Sequence, residues 1–179
     1  MFVQTQSTPN PNSLKFLPGR EVSKIGPLEI KDTNYSHNEL IKNIFSLDGV
    51  TSVFLSDDFL SVNKSEEKDW EDLKHIIISF INEYYAKGNK CIISDASKSE
   101  KDNVSSIEKT IIDILEKKIR PAVARDGGDI KFKEFKDGKV LVELQGSCSG
   151  CPSSTLTLKR GVQNLLKHYI PEVKEVEAI

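Results

Sequence analysis

The sequence predicts an α+β, or small α/β, protein of two compact domains, each a small sheet covered by helices, joined by a flexible linker. Three observations lead there. Hairpin-forming and helix-forming runs recur in two separate blocks, a polar stretch without apolar anchors lies between them, and the second block carries a lone Cys-x-x-Cys where a strand gives way to a helix. With 179 residues, the chain has room for one ordinary domain or two small ones, so patterning decides. Its composition, 37% hydrophobic and 29% charged, is that of a globular protein able to build real cores.

The first block opens on an alternating segment from Phe2, the loop Thr8-Pro9-Asn10-Pro11-Asn12, and a second extended run through Leu14 and Phe16 to Pro18-Gly19, which predicts a hairpin. Ser36 stands three residues before Glu39, a capping-box spacing. Leu40, Ile41, Ile44, Phe45 and Leu47 then recur at helical intervals until Asp48-Gly49. Residues 50–55 and 59–63 flank Ser56-Asp57-Asp58 as a second hairpin. Trp70, Leu73, Ile77, Phe80 and Tyr84 predict the inner stripe of a helix stopped by Gly88, and residues 90–93 a short closing strand. The Pro-Asn loop reads as a rigid turn.

This gives a first domain over 1–93 and a linker over 94–106, where Asp, Ser, Lys, Glu and Asn dominate and too little apolar surface exists to offset ordering entropy. As a flexible coil of about 12 residues the linker separates its ends by roughly 17–21 Å. The second domain, 107–179, begins with a helix bearing Ile107, Ile111, Ile114, Leu115 and Ile119, closing near Arg120-Pro121 or a few residues later. Asp126-Gly127-Gly128-Asp129 reads as a turn with self-bonding side chains. Residues 130–135 and 140–145 flank Asp137-Gly138 as a hairpin that points Val140, Val142 and Leu144 to one side. After the cysteine loop, Pro152 suits a first helical position. Leu158, Val162, Leu165, Leu166 and Tyr169 line that helix, and residues 173–176 return as an edge strand.

Bulk properties exclude several roles. A formal net charge of -2 offers no general attraction to phosphate backbones or anionic lipid, so neither nucleic acid nor a membrane surface is expected as a partner. The longest apolar run, around Ile76-Ile77-Ile78, is far short of the roughly 20 residues that span a bilayer. Residues 1–7 carry neither a secretion signal nor an Arg-rich presequence pattern, so a cytosolic protein is expected. Three cysteines suit a reducing compartment where a Cys-x-x-Cys pair serves metal or redox chemistry.

That pair is Cys148 and Cys151, in Gln145-Gly146-Ser147-Cys148-Ser149-Gly150-Cys151-Pro152. Unpaired N–H groups and the dipole at a helix N-terminus favour negative charge, so the expectation is lowered thiol pKa values and thiolates ready for metal. The small residues at 146, 147, 149 and 150 leave room for a bulky inorganic core, in a polar, loop-built seam. Lys159 and Arg160 follow about two turns on as solvated surface residues. Ligand counting then discriminates. A closed zinc site needs four protein ligands, and Cys91, His37, His75 and His168 show no ligand-like spacing. A [4Fe–4S] or [2Fe–2S] cluster also needs four ligands, so one pair per chain implies that two chains supply them across a two-fold axis. The competing reading is a thiol–disulfide oxidoreductase, whose fold places a longer βαβ arrangement ahead of its motif. No catalytic residue is assigned.

Two stretches carry a family resemblance. The run from Phe2-Val3-Gln4-Thr5-Gln6 through Thr8-Pro9-Asn10-Pro11-Asn12-Ser13-Leu14-Lys15-Phe16 resembles the N-terminal domain of the NifU-like, Nfu-type iron–sulfur carrier proteins. Arg120-Pro121, Asp126-Gly127-Gly128-Asp129 and Leu144-Gln145-Gly146-Ser147-Cys148-Ser149-Gly150-Cys151-Pro152-Ser153-Ser154 are similar to that family's cluster-binding domain in order and spacing. The resemblance implies a [4Fe–4S] cluster bridging a homodimer, Cys148 and Cys151 as the ligands from each subunit, upstream cluster-assembly proteins as donors and apo iron–sulfur proteins as recipients.

Overall fold

The structure, a computed structural model, describes residues 2–32, 38–94 and 105–179, and the backbone alone of 152–154. The chain divides into two units, Met1–Ser97 and Lys98–Ile179. Both are α+β.

In the first unit, β1 (Gln4–Ser7), β2 (Ser13–Leu17), β3 (Leu28–Ile30), β4 (Val50–Leu55) and β5 (Leu60–Lys64) form one antiparallel sheet in the order β1-β2-β5-β4-β3. Alternation along the strands sends Leu14, Phe16, Leu60, Val62, Val53 and Leu55 into a core shared with α1 (Glu39–Phe45) and α2 (Trp70–Ala86). The two expected hairpins are present. Thr8 Oγ1 donates to the Asn10 and Ser13 carbonyls, the Asn12 N–H donates to Asn10 Oδ1, and Trp70 Nε1 donates to the Pro11 carbonyl, so the Pro-Asn loop is rigid as read.

Several details differ from the sequence reading. The expected cap Ser36 lies outside the described residues. Asn38 caps α1, its Oδ1 accepting from the Leu40 and Ile41 N–H groups. The inner stripe of α2 is Leu73, Ile77, Ile81, Tyr84 and Tyr85, leaving Trp70 and Phe80 half-buried at its margin. Residues 90–93 form no strand, contributing a single bridge between Ile93 and Ser23, and β3 was not anticipated.

The second unit starts with α3 (Ser106–Ile114), whose cap Ser105 forms a reciprocal capping box with Glu108. A π-turn over Leu115–Ile119 follows and leads into α4 (Arg120–Arg125). Pro121 therefore opens a helical segment: at an early helical position its missing N–H is tolerated, and the wider turn just before it absorbs the break. Strands β6 (Gly128–Lys136) and β7 (Lys139–Gly146) pair as a hairpin. Its turn residues, Asp137 and Gly138, both have positive φ, 52° and 81°. Helix α5 (Pro152–Tyr169) crosses over to β8 (Glu175–Ala178), which joins β7 in parallel, two residues later than expected. Val162 and Leu166 of α5 are buried with Ile111, Ile114, Ile130 and Val142, while Tyr169 faces solvent, contrary to expectation, with Lys118 Nζ 5.2 Å from its ring centroid. Of the linker, residues 95–104 lie outside the described residues. Among the described residues no helix is long and apolar enough to cross a membrane.

Candidate functional site

The loop that joins β7 to α5 leaves the carboxyl end of a strand and enters a helix N-terminus, a place where α/β sheets commonly present ligand-binding groups. Gly146 (φ 65°) and Gly150 (φ 72°) supply the left-handed backbone that folds the loop back, and the Ser149 N–H donates to the Gly146 carbonyl at 3.1 Å. Cys151 is the N-cap residue of α5. Its carbonyl accepts from the Thr155 N–H (3.0 Å) and from Thr155 Oγ1 (2.8 Å), so helix geometry fixes it.

Cys148 is held differently, by the turn between α4 and β6. The Ser147 N–H donates to the Gly127 carbonyl at 3.2 Å, and Ser147 Oγ donates to the Asp126 carbonyl. Gly128 pairs with Gly146 across the hairpin, and a Cβ at Gly128 would lie 2.6 Å from Cys148 Sγ and 2.7 Å from the Gln145 carbonyl oxygen. The thiol thus sits against bare backbone, and any side chain at 128 would collide with it. Below the turn, Arg120 Nε and Nη2 donate to the two carboxylate oxygens of Asp129 at 2.8 and 3.0 Å. The reading of Asp126–Asp129 as a self-bonded turn is corrected accordingly. Only Asp126 and Gly127 make the turn, whereas Gly128 and Asp129 already belong to β6, and Asp129 bonds a distant arginine.

Neither cysteine is in a disulfide and both are buried, Cys148 at 4% and Cys151 at 1% exposure. The expectation of lowered thiol pKa values fails for Cys148: burial pushes it up to about 11, and a hydrogen bond with the Ser147 side chain offsets only part of that. Desolvation outweighs the helix N-terminus, because removing water penalises the thiolate more than partial backbone charges reward it. Cys91 lies in the other unit, and His75 is exposed on α2. His168 stacks edge-on against Tyr169, and His37 lies outside the described residues. Lys159 approaches Glu175 at 3.9 Å. Among the described residues no group of three or more His, Cys, Asp or Glu side chains is placed to hold a metal ion. Two soft sulfur donors per chain are chemically suited to a thiophilic metal but number half of a four-ligand set.

Comparison with known proteins adds an independent line. Residues 3–88 match the family model described as "Scaffold protein Nfu/NifU N terminal", and residues 111–177 match that described as "NifU-like domain". "NFU1 iron-sulfur cluster scaffold homolog, mitochondrial" of Homo sapiens is 43% identical over 186 residues, covering 100% of this chain and 72% of that protein. "NifU-like protein 4, mitochondrial" of Arabidopsis thaliana is 42% identical over 185 residues, covering 99% of this chain and 65% of that protein. The chain therefore spans about two thirds of the length of these relatives. A solved NifU-like protein from Saccharomyces cerevisiae is 31% identical, with a TM-score of 0.49 over 54% of this chain and 87% of its own.

Proposed function

Because this chain belongs to the NifU-like, Nfu-type family of iron–sulfur scaffold proteins, we propose that it is a non-catalytic carrier that holds a [4Fe–4S] cluster as cargo. Cys148 and Cys151 of two copies supply the four thiolates, and the cluster passes to apo iron–sulfur recipients after loading by upstream assembly proteins. The observation that carries this reading is the donor set. One unit presents two buried cysteines, neither in a disulfide, at a strand-to-helix joint, and among the described residues they do not form a group of three or more potential metal ligands. Two identical loops meeting across a two-fold axis complete the four-thiolate set that such clusters use.

The high pKa of Cys148 supports cargo binding over dithiol redox chemistry, which relies on a stabilised thiolate in the metal-free protein. Iron supplies the charge that deprotonates the thiol, so cluster loading releases protons and strengthens as pH rises toward the thiol's pKa. Three cysteines with no disulfide among them suit a reducing compartment, bacterial cytoplasm or mitochondrial matrix.

The test is anaerobic reconstitution with ferrous iron and sulfide. The wild-type protein is expected to turn brown, absorb broadly near ~400 nm, and take up about four irons per dimer. Cys148→Ser and Cys151→Ser should each abolish all of this. A cluster that persists unchanged in either variant contradicts the ligand assignment. Turnover of an insulin disulfide by the metal-free protein would favour the oxidoreductase.

A further inference from the structure

The thiols of Cys148 and Cys151 are anchored by different parts of the unit, and the difference points to a control element outside the Cys-x-x-Cys loop. This rests on the reading that the two cysteines hold the cluster. We propose that the Arg120–Asp129 ion pair is a positioning latch for Cys148, fixing the turn between α4 and β6 against which the thiol rests and so setting how firmly the cluster is retained.

The contacts run without a gap. Arg120 opens α4 and Asp129 is the second residue of β6, so their two-pronged pair closes the base of the helix-to-strand turn. Asp129 has 4% of its side chain exposed and Arg120 29%, which shelters the pair from the screening that weakens surface ion pairs. At the top of that turn, the carbonyls of Asp126 and Gly127 take both donors of Ser147, the residue before Cys148. Between base and top, Gly128 packs against Cys148 itself. A shift at Asp129 therefore moves the surface on which Cys148 lies. Cys151, capped into α5 through Thr155, shares none of these bonds.

The helix ahead of Arg120 is shaped for the same end. The π-turn over Leu115–Ile119 adds a residue to the helical path, which rotates every following side chain by about 100° relative to an uninterrupted α-helix. Arg120 is the first residue after it, with Glu116, one turn back, 3.6 Å from its guanidinium. The guanidinium thereby reaches the edge strand β6. Lysine cannot replace it, because a single ammonium does not make the paired hydrogen bonds that fix the carboxylate's orientation.

A merely structural ion pair and a latch differ in what they expose. Loss of general stability opens both thiols together, whereas loss of the latch opens Cys148 alone. The experiment uses the full-length, reduced, metal-free protein. Iodoacetamide labelling of Cys148 and Cys151 is followed separately by mass spectrometry in the wild type, Arg120→Lys, Asp129→Asn and Ser147→Ala. In each variant the Cys148 rate, divided by the thiolate fraction read from that variant's own pH profile, should rise roughly tenfold, while the Cys151 rate treated in the same way stays within about twofold of wild type. Ser147→Ala addresses the same relay from its far end should Arg120→Lys or Asp129→Asn fail to fold. After reconstitution, the folded variants should lose iron to a chelator faster by a similar factor. Unchanged Cys148 labelling, or equal acceleration at both cysteines, overturns the latch. Failure of the wild type to take up any cluster instead defeats the carrier reading and leaves the labelling result standing.

Discussion

At Cys148 two electrostatic effects oppose each other, and their balance sets how the apo protein behaves. Burial raises the thiol to about 11 from an ordinary value of 9.0. A group whose pKa is higher folded than unfolded favours the fold below its unfolded pKa. That contribution fades as pH climbs from about 9 through about 11. Alkylation of Cys148 in the metal-free protein should accordingly be slow at pH 8 and still climbing at pH 10. A rate already levelling off at pH 10 would show an exposed, unperturbed thiol. The cysteine pair and its place at a strand-to-helix joint were legible in the sequence from spacing and from Pro152. What holds it was not: Arg120 and Asp129 are joined through a π-turn that leaves no periodic trace, and the role of Gly128 exists only once β6 and β7 are paired.

Elements whose signals are local were read well, and those defined by tertiary partners were not. The hairpins around Ser56-Asp57-Asp58 and Asp137-Gly138, and the stripes of α2, α3 and α5, follow from alternation, turn chemistry and helical spacing. Strand β3 is three residues long, too short to alternate, and exists because β4 offers it an edge. At the start of α1, Asn38 does more than a cap, since its Nδ2 also donates to Tyr84 Oη (2.7 Å) and to the Ile92 carbonyl (2.8 Å), tying three segments together. Asn38→Ala should lower stability by about 1–2 kcal/mol, the scale of a lost N-cap plus an unsatisfied buried partner. Urea unfolding followed by Trp70 fluorescence measures it. A loss below about 0.3 kcal/mol would mean that water replaces the side chain at little penalty.

On the scale of the whole chain, labour is divided between two units. The second contains both thiols, the turn that seats one, the helix that caps the other and the ion pair beneath them. The first contributes a five-stranded sheet with its own core and matches a separate family model. On the proposed reading each chain supplies half of a cluster's ligands, so the loaded state is expected to be a dimer. Native mass spectrometry of the anaerobically reconstituted protein tests this most directly, because it reads subunit number and cluster content on the same ion. The expected species is two chains carrying one cluster, reverting to metal-free protein when the cluster is chelated. A single chain carrying a complete cluster would contradict the shared-ligand account.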